Sequence, residues 1–234
     1  MVYLCNIKRH FIMSKKLLFT IFATLLLLNS CKKEEEDYSI PVDGDGNTYQ
    51  TIVIGTQTWM VGNLHTTHLN DGTPIEQDVK WENADIKPVF CFYEHHVSNE
   101  PTYGMLYNWH AVNSGKLAPK GWHVATKQDW ETLATHYGGL RKAGGALKAL
   151  EVWREPNTGA TNSSRLGLLP TGCCLGSFEN GIFEGQGEIG YWWTSTPAMG
   201  GAGGEMIHLS YNSEEIEGNG SGPDFGYAVL CVKD

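Results

Sequence analysis

Glycine recurs so often in this chain, 28 times in 234 residues, that short strands and tight turns are favoured over long helices. Each glycine inside a helix costs about 0.5–1 kcal/mol relative to alanine, and the eight tryptophans and ten tyrosines fit a pleated surface better than a helical seam. Helix bundles and coiled coils are thereby excluded. A hydrophobic fraction of 41% with 18% charged residues supplies one core and argues for a single globular domain. Seventeen basic residues stand against 26 acidic ones, a formal charge of −9, and no Lys or Arg stripe offers neutralisation to phosphates. The balance argues against nucleic acid as a partner, and an anionic membrane would repel the folded part unless a lipid held it there.

A lipid attachment point is legible near the N-terminus. Met13, Lys15 and Lys16 form a basic head, an apolar run follows over residues 17–28, and Asn29-Ser30-Cys31 closes it. The run is too short to span a bilayer and has the length and flank of a secretory h-region. Leu28-Asn29-Ser30-Cys31 resembles a bacterial lipobox with Asn in place of the usual small residue, which makes Cys31 the lipidated first residue of the mature chain. Residues 1–30 are then a signal peptide, of which 1–12 read as an over-extended start. Residues 31–42 form an acidic tether containing Lys32-Lys33-Glu34-Glu35-Glu36-Asp37, and residues 43–234 form the domain. A lysine followed by acids after such a cysteine resembles the export signal of Bacteroidetes-type lipoproteins, which implies an outer-membrane protein on the outer cell face.

Within the domain, the turn string Asp43-Gly44-Asp45-Gly46-Asn47 leads into a strand over residues 48–54, and Gly55-Thr56 turns it into a second over 57–61. Residues 65–101 read as loop with short strands, and residues 103–112 as a short helix or strand. Thr126 with Asp129 predicts a capped helix over residues 127–137, ended by Gly138-Gly139, and a weaker helix over 141–150. No periodic element is visible over 152–190; strands return over 190–195, 206–211 and 226–232, the last expected to pair with the opening hairpin.

Metal and thiol chemistry are the remaining candidates. Spaced carboxylates at Asp43 and Asp45 would suit calcium, but the string lacks the downstream glutamate of an EF-hand, so a glycine turn is the better reading and no cofactor is expected. His65, His68, His95 and His96 lack the intervening glutamate of a zinc-protease helix and read as surface histidines. In an oxidising compartment Cys91, Cys173, Cys174 and Cys231 allow three pairings, among which spacing does not choose.

Several ordered strings, among them Asp45-Gly46-Asn47-Thr48-Tyr49, Gln57-Thr58-Trp59-Met60, Leu106-Tyr107-Asn108-Trp109, Gly121-Trp122-His123-Val124-Ala125-Thr126 and Gly190-Tyr191-Trp192-Trp193-Thr194-Ser195, resemble the Fibrobacter succinogenes major paralogous domain family of secreted and lipid-anchored proteins. Residues 121–131 and 226–231 are also similar to the formylglycine-generating-enzyme branch of C-type-lectin-like folds. The resemblance implies an α+β, C-type-lectin-like domain with paired terminal strands, one or two helices and long irregular loops. It also implies a disulfide between Cys91 and Cys231, which would stabilise by about 4–5 kcal/mol through its long loop. Two departures stand out: Cys173-Cys174 replaces an aromatic followed by arginine, and Leu230 replaces an arginine.

Three functions compete on this sequence. A formylglycine-type oxidase would use Cys173 and Cys174 as a copper or redox pair, but no second cysteine lies a few residues before Cys231, and no Gly-x-Ser-x-Gly elbow exists. A non-catalytic binder of glycans or surface proteins is expected, with Trp153, Glu155, Asn157, Asn162, Phe178, Asn180 and Trp193 as the stacking and amide-bearing candidates. Glu155-Pro156-Asn157 resembles the calcium and sugar tripeptide of C-type lectins without its companion Trp-Asn-Asp string. A component of a surface assembly is the third reading. Trp59, Trp109, Trp122, Trp130 and Trp192 are expected in the core.

Overall fold

The computed structural model describes residues 40–176 and 181–234; the signal segment, Cys31 and most of the tether, and the candidates Phe178 and Asn180, lie outside the described residues. The opening hairpin forms as its β-branched run predicts. Strands β1 (Gln50–Ile54) and β2 (Gln57–Val61) pair antiparallel with Ile52 opposite Trp59. The chain then adds β3 (Glu76–Gln77), β4 (Val89–Cys91), two short 3-10 turns, helix α1 (Glu100–Tyr103), β5 (Leu106–Tyr107), α2 (Trp109–Asn113) and β6 (Trp122–Val124). Helix α3 (Lys127–His136) is the longest of the four described α-helices. It starts where Thr126 and Asp129 cap each other's backbone amides in a complete capping box.

The expected second helix shrinks to α4 (Ala143–Leu147), for a steric reason. A Cβ on Gly144 would meet the Glu214 carbonyl oxygen at 2.7 Å and one on Gly145 the Gly159 carbonyl oxygen at 2.3 Å, so these glycines let one helical turn press between two loops. Five strands follow: β7 (Thr171–Leu175), β8 (Ile182–Gln186), β9 (Ile189–Pro197), β10 (Gly204–Ser210) and β11 (Ile216–Ser221). The chain closes with β12 (Cys231–Lys233). The architecture is α+β, mostly sheet: one sheet in the order β1-β2-β12-β6, one in the order β11-β10-β9-β7-β8, and a small one in the order β3-β4-β5.

The terminal strands meet as expected, with Val232 opposite Trp59. Before joining that sheet, the closing segment forms bridges to the other two, Tyr227 with Tyr107, Gly226 with Cys174 and Ala228 with Trp192. One eight-residue stretch therefore stitches all three sheets. All eight tryptophans are buried in the core. Trp130 packs edge-on against Trp59 at 5.5 Å and tilted against Trp192 at 5.8 Å, so helix α3 is fixed to both large sheets by one aromatic side chain.

The same cap carries an ionic clasp. His123 of β6 places Nε2 3.1 Å from Asp129 Oδ2 and Nδ1 2.8 Å from Asp234 Oδ1. The Asp129 carboxylate raises the pKa of His123 against the opposing effect of burial. Burial pushes the Asp129 carboxyl up, but His123 and the Thr126 amide and hydroxyl outweigh it and hold it at about 2. A histidine whose folded pKa lies above its unfolded value adds stability in full below that unfolded value and loses it as pH rises through the folded one. His123 is about a third exposed, so His123→Gln should cost only about 0.5–1 kcal/mol at about pH 5.5 and nearly nothing at about pH 9. Urea unfolding of the two proteins at both pH values checks the sign.

Candidate functional site

The cleft begins at the turn string. Asp43, buried, accepts hydrogen bonds from the Asp45 and Asn47 amides, each at 3.0 Å, from Asn47 Nδ2 at 3.0 Å and from the Tyr49 hydroxyl. Asp45 accepts from the Thr67 amide and from its hydroxyl at 3.0 Å, and pairs with His68 Nδ1. Burial pushes Asp45 up, yet Thr67 and His68 pull harder and keep its carboxyl below the usual range. These carboxylates thus serve as Asx-type staples that tie the turn to residues 65–68, with donors from the protein on their oxygens where a calcium reading needs them open. Among the described residues no group of three or more His, Cys, Asp or Glu side chains could hold a metal ion.

The staple fixes Tyr49, whose hydroxyl also accepts from the His65 amide at 3.2 Å while its ring meets the His65 ring edge-on at 5.1 Å. His65 Nδ1 lies 3.5 Å from Glu100 Oε1 on α1, and both side chains are about one-third exposed. Around them opens a cleft of about 450 Å³ between the start of β1, the exit of β2 and α1. Asn63 braces its wall by donating to the Tyr103 carbonyl at 2.9 Å and accepting from Trp192 Nε1 at 2.8 Å. Gly104, at φ +76°, permits the approach, since a Cβ there would sit 2.9 Å from Asn63 Cβ. The exposed side chains of Thr48, Gln50 and Thr102 line the mouth and make no side-chain hydrogen bond among the described residues. Hydroxyls, an amide, a carboxylate and an imidazole over an aromatic floor can exchange donors and acceptors with a polyhydroxylated ligand.

The family model for the Fibrobacter succinogenes major domain matches residues 52–233. The chain belongs to this family. No curated protein and no solved structure matches it. In this major-domain chain the ligand residues expected from sequence do not converge among the described residues. Trp153 is buried, with Nε1 donating to the Leu168 carbonyl at 2.8 Å, and Trp193 is fully buried, with Nε1 donating to the Tyr107 carbonyl at 2.8 Å. Both are core residues because a carbonyl satisfies the indole N–H that would otherwise hold the ring at the surface. They occupy separate core clusters.

Asn157 and Asn162 shape turns: each has a positive φ, Asn157 donates to the Ala149 carbonyl at 3.0 Å, and Asn162 accepts from the Gly167 amide at 2.9 Å. Glu155 is exposed on the same loop. The expected Cys91–Cys231 bridge is absent, and both are free, buried thiols. Cys231 lies in the core cluster with Tyr49 and Met60, whereas Cys91 lies in another with Trp81 and Cys174. Cys173 and Cys174, neighbours on a strand, point to opposite faces and into different clusters, so they do not form one thiol pair.

Sequence reading missed two groups. Glu100 carried no signal beyond its charge, because only α1 brings it to His65. Lys148, fully buried, places Nζ within 2.9, 3.0 and 2.9 Å of the Thr158, Ser210 and Ser213 carbonyls and 5.5 Å from the Trp153 ring centroid. Nothing local marked it, because its carbonyl acceptors lie 10, 62 and 65 residues away.

Proposed function

We propose that this chain is a cell-surface lipoprotein, anchored through Cys31 in the outer membrane, whose domain is a non-catalytic module that binds neutral glycans in the His65–Glu100 cleft. The observation that carries the reading is that cleft, in which exposed hydroxyl and amide side chains surround a half-open His–Glu pair. Net charge −9 selects against acidic sugars. Pairing of the terminal strands, with few helices and long loops, supports a C-type-lectin-like reading of the fold, and family membership supports a surface location. Separation of the Cys173 and Cys174 thiols removes the support that a copper oxidase would need.

An array of neutral and acidic oligosaccharides, read with calcium and with chelator, tests this. Binding confined to neutral glycans and unchanged by chelator is expected. Glu100→Gln and Gln50→Ala should each weaken the best array ligand about tenfold, a loss of ~1.4 kcal/mol, without changing the melting temperature. Unchanged affinity in both variants removes the cleft from the reading, and an empty array beside capture of a defined surface protein favours the assembly reading.

A further inference from the structure

The small sheet and the five-stranded sheet meet across a row of bridged residues. Cys91 of β4 stands opposite Leu106 of β5; the next residue, Tyr107, stands opposite Tyr227; and Gly226, before it, stands opposite Cys174 of β7. Because side chains alternate along a strand, Cys91, Leu106 and Cys174 fall on one face, while Cys173, Tyr107 and Tyr227 fall on the other. Burial follows this division. Cys91, Leu106 and Cys174 share a core cluster with Trp81, and Cys173, Tyr107 and Tyr227 share a different one.

Within the first cluster the Cys91 and Cys174 side chains are neighbours, each fully buried. Two glycines leave space for Cys174 in this cluster. A Cβ on Gly181 would lie 2.8 Å from Cys174 Sγ, and one on Gly226 would lie 3.0 Å from Cys174 Cβ and 2.9 Å from the Trp81 ring. Cys231 reaches neither thiol, since it sits among Tyr49, Met60 and Val124.

We propose that Cys91 and Cys174 form a disulfide when the chain folds in the presence of a disulfide oxidant, and that this bond locks β4 to β7. One thiolate attacks a sulfur of the oxidant's disulfide, expelling one oxidant thiol and leaving a mixed disulfide. The second cysteine's thiolate then attacks the protein sulfur of that mixed disulfide and releases the other oxidant thiol. Two protons leave the protein, and its two electrons reduce the oxidant disulfide to two thiols. The exchange belongs to folding and not to the finished domain, because burial and the neighbouring thiol push Cys91 well above the ordinary thiol range. Closing the ring draws two sulfurs of one buried cluster to the ~2.05 Å of a covalent bond.

The test is refolding of the reduced, denatured full chain in a buffer of oxidised and reduced glutathione, followed by acid quenching, alkylation of free thiols and non-reducing peptide mapping. A single crosslink joining the Cys91 peptide to the Cys173-Cys174 peptide is expected, retained in Cys173→Ser and in Cys231→Ser and lost in Cys174→Ser. Adding a reductant should lower the melting temperature by about 10 °C in wild type and in Cys173→Ser, the size expected for closing a loop of this length. Full alkylation of Cys91, or a map dominated by Cys91–Cys231 or by mixed pairings, overturns the proposal. The peptide map of the wild-type chain decides between these outcomes whether or not the serine variants fold.

Discussion

Replacement of Lys148 by methionine should unfold this domain more readily than any single loss at its surface, by about 3–5 kcal/mol in urea titration. The ammonium sits fully buried with three carbonyl acceptors, one for each of its protons, contributed by residues 158, 210 and 213. Methionine fills the same volume and supplies no donor, so the three carbonyls lose the lysine as partner while the packing is kept. The loop at residue 158 and the end of β10 with the turn after it would lose their common tie. Burial lowers the lysine's pKa from 10.5 to about 8, against the pull of Glu214.

The pH dependence follows from that shift. Below about 8 both the native and the unfolded chain hold the proton. Between 8 and 10.5 the unfolded chain still holds it while the native chain releases it, so the unfolded state binds more protons and native stability rises with pH. The deficit of Lys148→Met relative to wild type should therefore be larger at about pH 9 than at about pH 7. A deficit that shrinks over this interval would mean that the three carbonyls hold the proton more firmly than burial expels it, and would overturn the lowered pKa.

Lys148 also marks where a sequence stops being readable. The elements legible in advance are those whose determinants are local. Thr126 and Asp129 lie three residues apart and cap α3 by themselves, and Gly55-Thr56 turns β1 into β2 without help from elsewhere. Strand β11, by contrast, reads Ile-Glu-Gly-Asn-Gly-Ser and exists because β10 supplies its hydrogen-bonding ladder. Strand β7 carries Gly172 at φ +65° and is buried on both faces, so it shows no alternation to read.

Tryptophans were misplaced for a related reason. Trp153 and Trp193 have an amphipathic ring that suits a binding surface as well as a core, and the deciding carbonyls lie 15 and 86 residues away. The cleft followed the same rule: the aspartate-glycine turn was legible as a turn, but its role as a staple depends on Thr67 and His68, and the cleft's acid, Glu100, arrives from a helix of four residues.

Asp43→Ala should couple stability and recognition at that staple. The carboxylate of Asp43 receives two backbone amides, one side-chain amide and the buried Tyr49 hydroxyl, and removing it leaves all four donors without that acceptor. A loss of about 3 kcal/mol is expected, equivalent to a fall of roughly 6–12 °C in melting temperature for a domain of this size. Asp43→Asn should lose less. Its remaining oxygen can keep the backbone amides of Asp45 and Asn47, while its new N–H₂ faces Asn47 Nδ2 and the tyrosine hydroxyl, both of which donated to the carboxylate.

Binding should follow the same order, because Tyr49 both floors the cleft and holds the His65 amide. Asp43→Ala should weaken the ligand that Glu100→Gln weakens, with Asp43→Asn intermediate, although Asp43 itself is buried beneath the cleft. Calorimetric titration at a temperature where all variants remain folded separates this from simple unfolding. Affinity that stays at the wild-type level while stability falls would detach the turn from the cleft and leave it as a structural clamp alone.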